Sequence, residues 1–153
     1  MMAWRYFRWR ISAMRPKLPI SSLIPAEFII DSVREAPEAI VVLARAICAT
    51  GRCPACGRSS RRVHSRYVRR IADLPSSGRR VHIQLACRRF FCRSPGCQRR
   101  IFTERFDRAT LLPWARRTNR LELIVHHLGL ALGGKPGARF ALSPGLWCGS
   151  EWH

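Results

Sequence analysis

Four cysteines in two close pairs are the residues of this chain whose types and spacing could do chemistry: Cys53-Pro54-Ala55-Cys56-Gly57 and Cys92-Arg93-Ser94-Pro95-Gly96-Cys97. A Cys-x-x-Cys turn sets two thiolates on one side of a metal ion. A second tight turn supplies two more and completes a tetrahedral zinc site. Pro54 with Gly57, and Pro95 with Gly96, have the chemistry of tight turns. The 35 residues between Cys56 and Cys92 suit a hairpin that leaves the first knuckle and returns beside it. Four thiolates fill the coordination sphere, so the site reads as structural, with Cys53, Cys56, Cys92 and Cys97 holding one zinc ion. A redox-active Cys-x-x-Cys is the rival reading. It lacks a preceding βαβ pattern and leaves the second pair unexplained. Of the other cysteines, Cys87 reads as a packed core thiol and Cys48 as a free thiol, while Cys148 has no assigned role. Seven cysteines suit a pure disulfide framework poorly, and close pairs favour metal in a reducing compartment.

The second chemical signal is charge. The chain carries 28 Lys and Arg against 9 Asp and Glu, a net charge of +19, and only Lys17 and Lys135 are lysines. A GC-rich genome explains arginine over lysine but not the shortage of acids. Residues 52–120 hold 19 of the arginines against three acids, Asp73, Glu104 and Asp107. Such a surplus points to a polyanionic partner. Arginines two apart on a strand project the same way at intervals of ~6.6 Å, comparable with the phosphate spacing along a nucleic-acid strand. Arg62, Arg66, Arg70, Arg80 and Arg88 are the candidates for phosphate contact, with His64 and His82 on the same face. The bland alternative is a solvated basic face.

These residues need strands to position them. In 61–71, Val63, Tyr67 and Ile71 share one parity, and Arg62, His64, Arg66 and Arg70 the other. In 80–88, Val81, Ile83, Leu85 and Cys87 oppose Arg80, His82, Gln84 and Arg88. Period-two alternation predicts half-buried strands. With turn chemistry at Asp73–Gly78 between them, 61–88 reads as a long antiparallel hairpin with a basic outer face. Arg69, Arg89 and Phe90 break the alternation. Residues 38–47, EAIVVLARAI, fit a buried strand, a short helix being the alternative. After Cys97, Arg99–Phe102 is a possible closing strand. Further on, Asn119 with Glu122 suggests a capping box. Leu121, Ile124, Val125 and Leu128 make one face of an amphipathic helix, with Gly129 as its stop. A second short helix is expected at Pro136–Leu142.

No catalytic constellation emerges. Gly129–Lys135 nearly matches a phosphate loop, but Pro136 replaces the magnesium-binding hydroxyl and no strand precedes it. The carboxylates after the cysteine region are few, and the ~50 residues there are too short for a two-metal domain of the usual size. His126 and His127 belong on a helix surface. There is no signal peptide and no uninterrupted apolar run of ~18 residues, so a cytoplasmic, nucleoid-associated protein without a membrane partner is expected.

The quoted words resemble a family. Cys53–Gly57, Val63–Arg70, Asp73-Leu74-Pro75, Arg88–Cys92, Pro95-Gly96-Cys97 and Phe102–Arg105 are similar in order and spacing to the N-terminal zinc-binding region of bacterial insertion-sequence transposases of the ISL-three type. Gly129–Arg139 resembles the family's next element, the start of a helix-turn-helix-like DNA-binding region. The resemblance covers residues 15–141. It implies an α+β chain: a small zinc ribbon with a long antiparallel β-hairpin, then a short, incomplete helix-turn-helix-like segment. It implies the same four zinc ligands, and double-stranded DNA, the element's terminal inverted repeats, as partner. Self-association or association with intact transposase would follow. The family's RNase-H-like catalytic domain has no counterpart here, so the resemblance implies a truncated, non-enzymatic fragment. The domains expected are a basic arm or a start codon placed too early at 1–17, with Met14 as the true start; a zinc-ribbon DNA-binding domain at 18–107; a helical segment at 108–142; and an unpatterned tail at 143–153. The alternative is a stand-alone zinc-ribbon nucleic-acid-binding regulator.

Overall fold

Alternation of apolar and polar side chains builds most of what a computed structural model of the chain describes, residues 24–141. The expected arm at 1–17, the tail at 143–153 and Cys148 lie outside the described residues. The strands are β1 (Phe28–Glu35), β2 (Ala39–Ala46), β3 (Gly51–Arg52), β4 (Ser59–Ser60), β5 (Val63–Ser76), β6 (Arg79–Phe91) and β7 (Ile101–Thr103). Two helices follow, α1 (Asn119–Leu132) and α2 (Gly134–Ala141). The class is α+β, dominated by strands.

The main sheet runs β1-β2-β6-β5, with β7 also on β6. β1 and β2 pair antiparallel, as do β5 and β6, whereas β2 and β6 run parallel. β5 occupies one edge of β6; β2 and then β7 share the other. Ile40, Val42 and Ala44 lie beside Val81, Ile83 and Leu85, and Ile71 beside Ile83. All are buried and form the first core with Cys87 and Leu111. The apolar run at 38–47 is therefore a strand, buried through its alternate residues.

Phe90 explains the broken pattern at the end of β6. It is of opposite parity to Val81–Cys87 and enters a second core, with Cys53, Cys92 and Phe102. The strand thus serves one core with its first half and another with its last turn of pleat. The Phe90 and Phe102 rings stack at 5.7 Å between centroids. Gly51 lies against them: a Cβ there would sit 2.6 Å from Phe90 Cδ2 and 3.1 Å from Phe102 Cε2. Both rings are fully buried and have nowhere to swing. Gly51→Val is expected to lower stability by roughly 1–3 kcal/mol through overpacking. A urea midpoint that falls with unchanged slope checks it; an unchanged midpoint contradicts the packing described.

Several local expectations are corrected. The turn between β5 and β6 is only Ser77-Gly78, with φ of 51° and 72°. Two consecutive positive φ values match the right-handed twist of the strands. Asp73, assigned to the turn, is a buried residue of β5. The N-cap of α1 is Thr118, whose hydroxyl accepts from the Leu121 N–H, one residue before the Asn119 expected. The helix also passes Gly129 and stops at Gly133, φ 73°. Gly129 has another use: a Cβ on Gly137 of α2 would lie 3.3 Å from its Cα, so the two helices meet backbone to backbone. Of the expected apolar face, Leu121 is buried, Val125 and Leu128 are half-buried, and Ile124 is exposed. β1 carries no signal strong enough for the sequence reading to have named it.

Candidate metal centre

The first knuckle lies between the two-residue strands β3 and β4. The Cys53 N–H donates to the Arg58 carbonyl at 2.9 Å, and the Gly57 N–H to the Cys53 carbonyl at 2.8 Å. Gly57 takes φ 72°, which admits glycine at no steric cost. The second knuckle leaves β6. Cys92 N–H donates to Arg100 across it, Cys97 N–H to Ser94, and Gly96 takes φ 76°.

These turns bring Cys53, Cys56, Cys92 and Cys97 together, with all four Sγ atoms within 4.8 Å of one another. Across the knuckles, Cys53 Sγ lies 3.9 Å from Cys97 Sγ, and Cys56 Sγ 3.6 Å from Cys92 Sγ. A tetrahedron with Zn–S of ~2.3 Å has edges of about 3.8 Å. The two cross-knuckle spacings bracket that value and far exceed the ~2.05 Å of a disulfide. The geometry fits one structural zinc and leaves no ligand position for substrate. Cys53 and Cys92 are buried, Cys97 half-buried and Cys56 exposed. The Arg58 backbone N–H draws the Cys56 thiol down to about 7. At Cys92 a backbone N–H from Ser94 acts the same way, but burial and the three neighbouring sulfurs outweigh it and push that thiol up to about 12. The neighbouring sulfurs favour the thiolate at Cys56 and disfavour it at Cys92, and a divalent cation among them relieves the second effect.

Cys87 is separate, fully buried in the first core, its thiol raised to about 11 by burial. Cys48 is exposed and free.

The sequence-predicted basic residues divide. Arg62, just before β5, and His64, Arg66 and Arg70 on it are exposed, but a register break between Val63 and Ser65 parts the first two from Arg66 and Arg70, so the four do not share the one face expected. The Arg62 guanidinium lies over the Phe91 ring, and His64 meets that ring edge-on at 4.8 Å. Arg66 pairs across the ladder with Arg88, and Arg70 with Gln84, on the face away from the first core. Arg80 is half-buried on β6 and pairs with the exposed Glu38 at 3.4 Å. His82 is half-buried, and burial followed by the Arg80 charge lowers its pKa.

Arg88 departs from expectation. Its guanidinium turns inward to the buried Glu104 carboxylate, and its Nη2 also donates to the Cys48 carbonyl. Glu104 further accepts from the Arg88 backbone N–H at 3.0 Å, and the Glu104 N–H donates back to the Arg88 carbonyl at 2.9 Å. Its parity is that of Arg66, but a partner 16 residues on removes it from the phosphate-facing set.

Two more devices escaped the sequence reading. Asp73 accepts from the Thr118 hydroxyl at 2.6 Å, from Arg120 Nε at 2.7 Å and from the Leu74 N–H at 2.8 Å, latching the start of α1 to β5. Arg69, which broke the alternation, donates to the Ala115 carbonyl at 2.6 Å and to that of Leu112 at 3.5 Å. These carbonyls frame a turn in which the Ala115 N–H donates to Leu112 at 3.2 Å. Pro113 fixes a negative φ at its second position, and Trp114 takes φ 66° at its third. That is type II geometry, where glycine is the usual occupant. A tryptophan there costs on the order of 1–3 kcal/mol, yet its side chain is 87% exposed. Leu-Pro-Trp-Ala was the available signal, proline at the second turn position with no glycine after it.

Residues 49–97, the segment carrying both knuckles and the strands between them, match the family described as the zinc-finger of transposase IS204/IS1001/IS1096/IS1165. No curated relative and no solved structure matches the chain.

Proposed function

We propose that this chain is a DNA-binding portion of a transposase, whose zinc ribbon holds a basic strand face against the backbone of transposon-end DNA and which itself cuts and joins nothing. The observation that supports this most is the coincidence of the transposase zinc-finger match with the exposed basic residues at the start of β5, Arg66 and Arg70 on one face and Arg62 and His64 gathered at Phe91 beyond the register break. Among the described residues the two buried carboxylates, Asp73 and Glu104, support a non-enzymatic reading, since each is enclosed by arginine and backbone donors rather than facing a site. Among the described residues no helix is long and apolar enough to cross a membrane. The helix pair α1–α2 is then the beginning of a second DNA-binding element, and association with a full transposase at the same ends follows from shared target DNA.

Binding driven by phosphates falls with salt, because each neutralised phosphate releases counterions. Arg62→Ala and Arg66→Ala are each expected to reduce the slope of log K against log salt by about 0.9. A titration series in bandshift or anisotropy measures it. Terminal inverted-repeat duplex should compete better than scrambled duplex or RNA. Equal affinity for all three would remove the transposon-end reading and leave a general nucleic-acid-binding regulator.

A further inference from the structure

The feature that the zinc site and the basic strand do not account for is Trp114. A large indole stands 87% exposed on a residue with φ 66°, in a turn position that glycine would fill without strain. The turn is imposed on it from outside: Pro113 presets one φ, and Arg69 ties the carbonyls at both ends. A strained residue persists where its surroundings over-determine it, and such residues concentrate at binding sites. The indole contributes little to packing, so burial does not explain why tryptophan occupies the position.

Its surroundings indicate what it would meet. Trp114 borders a cleft of about 210 Å³ that Arg70, Arg105 and Arg116 also line. Arg105 and Arg116 are exposed, and among the described residues neither makes an ion pair. The cleft's carboxylate, Glu104, is held by Arg88 and offers no repulsion to an anion. The volume is below the ~300–1,000 Å³ of sites that enclose a whole small molecule. It suits a flat fragment laid on the indole with charge at its margins.

We infer that Trp114 is a stacking platform for an unpaired base of the bound DNA, with the guanidinium groups of Arg105 and Arg116 taking the phosphates beside it. The inference rests on the DNA-binding reading above and refines it: the ribbon's basic strand follows paired DNA, and the Trp114 turn takes a base that is out of the duplex. Stacking on an aromatic side chain needs no base sequence, because every base has a π-face. Duplex without an accessible base offers Trp114 nothing to stack on.

The test uses the full zinc-loaded chain and two DNAs of one sequence, a blunt duplex and the same duplex with a single-stranded extension. Wild type is expected to favour the extended DNA. Trp114→Ala should lose about tenfold or more on the extended DNA and stay within twofold on the blunt one, whereas Trp114→Phe should keep most of the preference. Trp114→Gly should lose binding like alanine while melting at a higher temperature than wild type, which separates a lost contact from a damaged fold. Wild-type binding to both DNAs with Trp114→Ala indistinguishable on each overturns the stacking role and leaves the DNA-binding reading standing. No binding of wild type to either DNA overturns that reading and the stacking role together.

Discussion

Cys92→Ser should abolish zinc binding and unfold the second core. Purified wild type should carry near one zinc per chain, and the variant close to none. The expected loss is large because a structural site returns its binding free energy as folding free energy, on the order of 10–16 kcal/mol in small zinc modules. A domain's whole stability is about 5–15 kcal/mol. Here the coupling is direct. Cys53 and Cys92 are at once metal ligands and buried members of the cluster that holds Phe90 and Phe102. A serine at 92 removes a thiolate and leaves a hydroxyl among aromatic rings. Cys87→Ser is the control: it injures the first core and should melt earlier while keeping its zinc, since Cys87 belongs to a different cluster. Metal analysis and thermal melting read both variants. Unchanged zinc content and melting in Cys92→Ser would sink the ribbon as described.

Arg88→Ala should behave as a folding mutant and not as a DNA-contact mutant. Removing the guanidinium leaves Glu104, its side chain only 3% exposed, with a buried charge and its backbone donor alone. It also strips a donor from the Cys48 and Ala49 carbonyls, where the chain leaves β2 for the first knuckle. Breaking one side of a buried pair costs roughly 3–5 kcal/mol. Arg88→Met combined with Glu104→Leu should recover much of that, since an apolar pair of similar volume is often neutral. At a temperature where Arg88→Ala is folded, its salt slope for DNA should equal that of wild type, in contrast to Arg66→Ala. Wild-type stability with a slope reduced by about 0.9 would return Arg88 to the phosphate-facing set.

The contrast between Arg66 and Arg88 shows what the sequence could disclose. The two are cross-strand partners with the same parity, so alternation alone treats them alike. What separates them is Glu104 on the far side of the second knuckle, and period-two patterning carries no information about a contact that the knuckle creates. Asp73 was misread for a similar reason. Asp-Leu-Pro-Ser-Ser-Gly has turn chemistry, but Thr118 and Arg120 arrive 45 and 47 residues later and turn the aspartate into a buried latch. The cysteine pairs were legible because each knuckle is local, and residues 81–87 because regular alternation is local too. Phe90 marks where one core ends and another begins, which a single hydrophobic face cannot express. Gly129 looked like a helix stop because glycine usually is one; its closeness to Gly137 belongs to the packing of two helices.

The parallel pairing of β2 with β6 has a consequence for how the chain finds its fold. Every residue pair in that ladder is 41 apart in sequence, a long search for an unconstrained chain. Gathering the two cysteine pairs first changes the distance that matters. Arg45 is then eight residues from Cys53, and its partner Ala86 six from Cys92, so the loop left to close is about a third as long. By the logarithmic dependence of closure entropy on loop length, that is worth roughly 1 kcal/mol. The knuckles therefore act in time as well as in space, turning a distant strand pairing into a nearby one before the sheet exists.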